Sequence, residues 1–412
     1  MLTINTARLL ADLAELAEIG RTADGGVSRL ALSPEDVAGR QWFQERVSAA
    51  GLEFRQDGAG NQSAILPASD SQAPTLVIGS HLDTVRNGGR FDGALGVLSA
   101  LEVVRTLKEA GQTLPVHLEA ISFTDEEGSV VGLLGSQAVA GQLTPAHFDN
   151  PRGGIETLRD GMARLNLTVE SMLAARRNPS TLAGFVEIHI EQGTRLEEAN
   201  LDIGVVTGIV GIRSAWLRFQ GQAAHAGTMP MLKRADALWG AADFIQQAKT
   251  IVIDQFSPGV MNCGQIDLSP GSFNIVPAEV TLALEFRHGT EEQLNAMAAV
   301  LYPLAETVAQ ENQLTVTITE TGGCIAAPSA ESVVQAIETA ADKLGLTHTR
   351  LMSFAGHDTQ SMAAITPSAM IFVPSVNGIS HSPQEFTADQ DVINGANVLL
   401  QTVLTLAHNT GK

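Results

Sequence analysis

The chain has 412 residues, 44% of them hydrophobic, and its 45 acidic against 25 basic side chains give a formal net charge of -20. Such a balance argues against nucleic-acid binding, which depends on clustered Lys and Arg, and no stretch approaches the roughly 18 apolar residues of a membrane span. Only Cys263 and Cys324 are present, which excludes a disulfide framework or a cysteine zinc site, suits a reducing compartment and makes both thiols expected small core residues.

Met1 to Gly20 carries leucines at helical spacing, interrupted by Asp12, Glu15 and Glu18. It reads as an amphipathic helix of a cytoplasmic protein rather than a signal peptide. At this length two domains are expected, with a small molecule or a metal ion as the partner. From Thr75 to about Leu143 short apolar strands alternate with amphipathic helices. Thr75 to Gly79 is a strand, Ala94 to Ala110 a helix with Leu98, Leu101 and Val104 at helical spacing, and Val116 to Phe123 the next strand. This alternation predicts an α/β domain with a mixed, mostly parallel sheet flanked by helices, whose ligands collect beyond the carboxyl ends of the strands.

Between about Ile209 and Glu320 the rhythm becomes strand, helix, strand, strand, helix, strand. That βαββαβ order predicts a ferredoxin-like unit inserted into the first domain. The expected division is residues 1–208 with 323–412 for a discontinuous main domain and 209–322 for the insertion. The main domain closes with a strand over Ala369 to Val373, a loop with His381 and a terminal helix.

Five of the ten histidines sit in motifs. His81 follows a strand in Gly79-Ser80-His81-Leu82-Asp83, where the Asp83 carboxylate could take the imidazole N–H that does not face a metal. Asp92 lies in the glycine-rich turn Gly88 to Gly93, and Glu126 and Glu127 stand side by side after the next strand. One carboxylate of such a pair can bind an ion while its neighbour accepts a proton from water. In Gly184 to Gly193 a period of two sets Glu187, His189 and Glu191 on one face. His381 again follows an apolar strand. Plainer readings stand beside each of these: a hydrogen-bonded turn histidine, a helix N-cap at Asp92, a solvated acidic pair and a solvent-facing edge strand. Taken together, imidazoles and carboxylates beyond strand ends suit zinc or a similar divalent ion better than calcium or magnesium.

The segments HLDTV with GGRFDGALGV, DEEG, HIEQG, AAHAGTMP, NIVP, AGHD and NGISHSP resemble the M20-type dinuclear metal amidohydrolases. The resemblance is to the branch of N-carbamoyl-L-amino-acid hydrolases, β-ureidopropionases and allantoate amidohydrolases, and runs from about Arg40 to the C-terminus. It implies two divalent ions per chain, zinc with manganese, cobalt or nickel as alternatives. One would be held by His81, Asp92 and His189, the other by Asp92, Glu127 and His381, with Asp92 bridging. It implies further that Glu126 is the general base and that Asp83 orients His81. Gln192, Asn274, Arg287 and His357 would contact the substrate, and His225 would reach into a partner subunit's site. The inserted domain would act as lid and as the contact of a homodimer.

The implied reaction is hydrolysis of a linear ureido or amide C–N bond, with an N-carbamoyl-L-amino acid giving amino acid, ammonia and carbon dioxide. Allantoate is the rival substrate. An aminopeptidase or dipeptidase on the same metal core, or a non-catalytic relative, are the other readings. The sequence departs from the branch in a loop about two residues short after Gly128, in Asp125 where Asn is common and in Thr359 where Ala is common. None of these removes an implied ligand.

Overall fold

Alternation of β-branched and apolar residues builds the first part of the chain into strands β1 (Glu53–Gln56), β2 (Gln62–Leu66), β3 (Thr75–His81), β4 (His117–Phe123), β5 (Leu182–Ile190) and β6 (Ile203–Ile209). After them come β7 (Gly211–Gln220), β8 (Ala224–His225), β9 (Val260–Ser269), β10 (Ile275–Val276), β11 (Glu279–His288) and β12 (Thr315–Cys324). The last are β13 (Ala327–Pro328), β14 (His348–Ser353) and β15 (Ser368–Val373). The structure, a computed structural model, describes residues 1–410. It divides into two compact units, Met1–Gly208 with Ser329–Lys412, and Ile209–Pro328.

The first unit is built on a sheet in the order β1-β2-β4-β3-β5-β15-β6, with β14 also paired to β6. The mixed, mostly parallel sheet is found. Its parallel pairs are the central ones, β3 with β4, β3 with β5 and β5 with β15, and antiparallel pairs lie at the margins. The helix Ala94–Glu109 is buried on every side except at Lys108 and Glu109. That is why its sequence is apolar nearly all round. It packs on β3, β4 and β5, and its charged interior residue Glu102 is bound by Arg8 at 2.7 Å. The central parallel strands β3, β4, β5 and β15 each release the chain at the same edge of the sheet. His81 closes β3, and the segments that follow the other three carry Glu126 and Glu127, Gln192 and His381.

In the second unit the sheet order is β12-β7-β11-β9, all antiparallel, with helices Ala237–Gln255 and Glu291–Glu311 in the connections. This is the order of a ferredoxin-like unit, with a hairpin of β8 and β10 added. Val280, Leu282, Leu284 and Phe286 of β11 point into a core with Phe244, Leu294 and Leu301 of the helices. The intervening Thr281, Ala283, Glu285 and Arg287 face the other way, as a period of two requires. The unit ends at Pro328 rather than at 322 because β12 stays paired to β7 as far as Cys324, opposite Ile212. Cys263 and Cys324 are half-buried rather than fully buried, since they lie on β9 and β12, the two outer strands of this sheet, and Cys263 packs at the rim of its core. Among the described residues no helix is long and apolar enough to cross a membrane.

Candidate metal centre

His81 ends β3, and its Nδ1 lies 2.9 Å from the main-chain carbonyl of Asp83. His189, one residue before the end of β5, uses its Nδ1 in the same way, 2.9 Å from the carbonyl of Ile190. Each carbonyl can only accept, so both rings carry a proton on Nδ1 and turn Nε2 inward. There Asp92 Oδ1 is 3.0 Å from His189 Nε2 and 3.7 Å from His81 Nε2. The other Asp92 oxygen faces His381, with Oδ2 3.3 Å from Nε2, and His381 Nε2 is 3.5 Å from Glu127 Oε2. Gly93 allows this approach: it has a left-handed φ of 63°, and a Cβ there would stand 2.3 Å from the His81 ring.

Two groups of three potential ligands thus share Asp92: His81, Asp92 and His189, and Asp92, Glu127 and His381. Ligands of a tetrahedral ion at about 2.0 to 2.1 Å stand roughly 3.3 Å apart, the scale of the separations here. The donor set of imidazoles and carboxylates fits a borderline divalent ion. Glu127 Oε1 is buried without a hydrogen-bond partner among the described residues, an acceptor that a cation would satisfy.

The electrostatics point the same way. Burial, then Glu127 and Asp358, hold the Glu126 carboxyl well above the usual range, and burial, then Asp92 and Asp83, do the same for Glu127. Burial would raise Asp92 too, but His189, His381 and His81 outweigh it and keep that carboxyl well below the usual range. Burial pulls His81 down to about 4, whereas for His189 the pull of burial is overcome by Asp92 and Glu187, giving about 9. Crowded carboxylates that repel one another into protonation are short of positive charge, and a divalent ion supplies it.

Asp83 differs from the expectation. Its carboxylate stands 3.9 Å from His81 Nδ1, and the carbonyl of the same residue takes the imidazole N–H. The carboxylate instead accepts from the backbone N–H of Glu126 at 3.3 Å and of Glu127 at 3.2 Å. Two amides of one turn offer a carboxylate better partners than one ring already bound. Asp125 shapes the far side of that turn. At a left-handed φ of 55°, its carboxylate accepts from Val130, Val131 and Gly132.

The remaining expected residues divide by unit. In the first unit, Gln192, at a left-handed φ of 56°, donates its amide to Asp92 Oδ2 at 2.9 Å. Its side chain therefore holds the carboxylate that the two groups share. His357 is buried with its Nε2 2.9 Å from Ser353 Oγ and its ring edge-on to His189 at 4.6 Å. Glu191 leaves the face it was expected to share, because β5 ends at Ile190; its carboxylate caps the helix Arg195–Ala199 through Arg195 and Leu196 N–H. Glu187 accepts from Ser80 Oγ and from the Thr359 hydroxyl and N–H.

In the second unit, His225 and Asn274 come together: His225 pairs with Ile275 across the β8–β10 ladder, and Ala226 N–H donates to the Asn274 carbonyl. Both are exposed. Arg287 donates to Glu285 at 2.8 Å near the far end of β11, eight residues beyond Glu279. At the rise of a strand that is about 26 Å from the end where β10 leads into β11.

Sequence reasoning missed Arg29, Ser380 and Glu385. Arg29 is 1% exposed and donates to the carbonyls of Leu82, Leu16 and Ile19, which fixes the chain just past His81. Ser380 and Glu385 lie beside His381 in sequence, and only their hydroxyl and carboxylate chemistry could have marked them.

Residues 77–405 match the family described as Peptidase family M20/M25/M40. The N-carbamoyl-L-amino acid amidohydrolase of Geobacillus stearothermophilus is 37% identical over 408 residues, 98% of this chain and 99% of its own. The allantoate amidohydrolase of Bacillus subtilis is 33% identical over 95% of this chain and 96% of its own. Among solved structures, an amidase of the hydantoinase/carbamoylase family from Burkholderia multivorans is similar with a TM-score of 0.91, at 33% identity over 98% of each chain. With a family match over most of its length and relatives of this identity along nearly all of it, the chain belongs to the M20/M25/M40 peptidase family, on its amidohydrolase branch.

Proposed function

We propose that the protein hydrolyses an N-carbamoyl-L-amino acid to the amino acid, ammonia and carbon dioxide at a centre of two divalent ions. The observation that carries this reading is the sharing of Asp92 between two three-residue groups, with Glu126 Oε2 3.5 Å from His81 Nε2 at their edge. His81, His189 and Asp92 would hold one ion, and Asp92, Glu127 and His381 the other. Bound ions supply Lewis acidity, lowering the pKa of water and polarising the carbonyl.

The chain's own residues do the rest. Glu126 accepts the proton of the attacking water and returns it to the leaving nitrogen. Asp83 fixes the Glu126–Glu127 turn, and Gln192 steadies Asp92. Arg287 binds the substrate carboxylate by a two-pronged hydrogen bond, and His225 donates to the oxyanion that develops on the carbonyl. A cavity of about 360 Å³ beside Gln192 and Ser353, walled by Leu351, Phe354 and Phe372, is of a size to take an amino-acid side chain.

His225 and Asn274 act together from the partner subunit, whereas Arg287 serves its own chain. A carbamoyl amino acid is far shorter than the length of β11 that separates them. The second unit supplies the dimer contact: β9 is an edge strand, and Val260, Ile266 and Leu268 on it are exposed.

The deciding experiment is ammonia release by metal-loaded protein from N-carbamoyl-L-amino acids, N-carbamoyl-β-alanine and allantoate, with Glu126→Gln as the blank. Release from carbamoyl amino acids, absent in the blank, is expected. Release from allantoate alone would transfer the assignment to that substrate, and silence across the panel would overturn the ureido reading.

A further inference from the structure

Glu385 is a buried carboxylate, 5% exposed, to which none of the roles above gives a use. Its Oε1 accepts from the backbone N–H of Phe91 at 2.9 Å and of Asp92 at 3.0 Å. Its Oε2 is 2.9 Å from Ser380 Oγ, which is itself 2.8 Å from Asp92 Oδ2. One side chain thereby joins the loop that presents Asp92 to the loop that presents His381, across 293 residues of sequence.

Gly89 provides an independent sign of how closely this carboxylate is seated. A Cβ at Gly89 would stand 2.0 Å from Glu385 Cδ and Oε1, yet Gly89 is not among the left-handed glycines. The glycine is required by the carboxylate and not by a turn.

The two metal positions depend on this link unequally. His81 and His189 sit on β3 and β5, central strands whose backbones are fixed by neighbours on either side. Glu127 and His381 sit in loops, and the His381 side chain is 52% exposed with a left-handed φ of 54°.

We infer that Glu385 is a positioning residue that clamps the Asp92 and His381 loops together and so sets the affinity of the position formed by Asp92, Glu127 and His381. The inference rests on the dinuclear reading above. The first position relies on the sheet and is affected little. A carboxamide can do the same work, since its oxygen accepts both amides and its NH₂ donates to Ser380 Oγ, releasing the serine proton to Asp92. Alanine cannot.

Titration of the metal-stripped full chain with cobalt(II), followed by visible absorption and calorimetry, tests this. Wild-type protein should take up two ions. Glu385→Ala should hold the first with little change and bind the second about 10 to 100-fold more weakly, the usual effect of removing a group that orients a ligand. Glu385→Gln should restore the second ion. Gly89→Ala should resemble Glu385→Ala, and the double variant should be no worse than Glu385→Ala alone, because the new methyl then meets no carboxylate.

Unchanged second-ion affinity in Glu385→Ala would overturn the clamp. So would equal weakening of both ions, or a Glu385→Gln protein as weak as the alanine variant. If Glu385→Ala does not fold, Gly89→Ala carries the same comparison of the two ions. A wild-type chain that takes up fewer than two ions overturns the dinuclear reading itself, before any variant is compared.

Discussion

In the first unit His81 and His189 are each 1% exposed, their rings fixed by main-chain carbonyls one or two residues on, and Asp92 is 4% exposed and held by Gln192 from another segment. In the second unit His225 and Asn274 are exposed on a two-residue ladder, and Arg287 contacts a neighbour on its own strand. The first arrangement is preorganised by the fold of one chain, and its side chains cannot move without unpacking a core. The second presents His225 and Asn274 at an exposed surface, open to substrate or to another copy. Variants at the metal centre should therefore abolish chemistry in their own chain, whereas in the second unit His225 and Asn274 variants should respond to subunit mixing and an Arg287 variant should alter binding.

The largest expected effect is that of Glu126→Gln. Turnover should fall about 10² to 10⁴-fold with both ions retained, as for loss of a general base. Rate measurement with metal analysis of the same sample checks it. Ion loss in that variant would make Glu126 a ligand and erase the division of labour within the acidic pair.

Subunit mixing is the next test. His225→Ala should be inactive or nearly so, since loss of one oxyanion donor costs about 10² to 10³-fold. Mixed with inactive Glu126→Gln protein, it should regain about a quarter of wild-type activity, because half the dimers are mixed and each holds one intact site. Asn274→Ala should be rescued by the same partner and Arg287→Ala should not. Rescue of all three, or of none after verified exchange, would break the proposed grouping of these residues along β11.

Arg287→Ala should act mainly on binding. Losing a charge-assisted contact costs about 1.5 to 3 kcal/mol, roughly 10 to 150-fold in KM, with kcat little changed. A fall in kcat at constant KM would move Arg287 from substrate binding to the chemical step.

The contrast between the units also explains what the sequence could disclose. A histidine at the end of an apolar strand followed by glycines is legible, because the strand pattern places His81 and the glycines announce a tight turn. The βαββαβ rhythm is equally local, and the sheet order follows from it. Contacts that depend on two distant loops meeting are not local. Glu385 reaching Asp92 and Gln192 donating to Asp92 leave no mark in either segment alone. Periodicity gave the face of Glu187 and His189 correctly but not the end of the strand, so Glu191 was carried onto a face that the chain has already left. For Asp83 the residue was found and the wrong atom chosen. Side-chain carboxylates and main-chain carbonyls compete for the same N–H, and only the positions of Glu126 and Glu127 decide between them.

Asp83→Asn tests that last point with the smallest effect. An asparagine keeps one acceptor oxygen and turns an NH₂ toward the second amide, so one hydrogen bond to a charged group is lost, about 1.5 kcal/mol. The turn that carries Glu126 and Glu127 should loosen, and kcat should fall about tenfold. The His81 tautomer should persist, because the main-chain carbonyl at residue 83 is untouched. Affinity for the ion held by His81, Asp92 and His189 should then stay close to wild type, while the ion that needs Glu127 binds more weakly. If the first ion is the one weakened, the carboxylate orients His81 across its 3.9 Å gap after all, and the carbonyl contact is incidental.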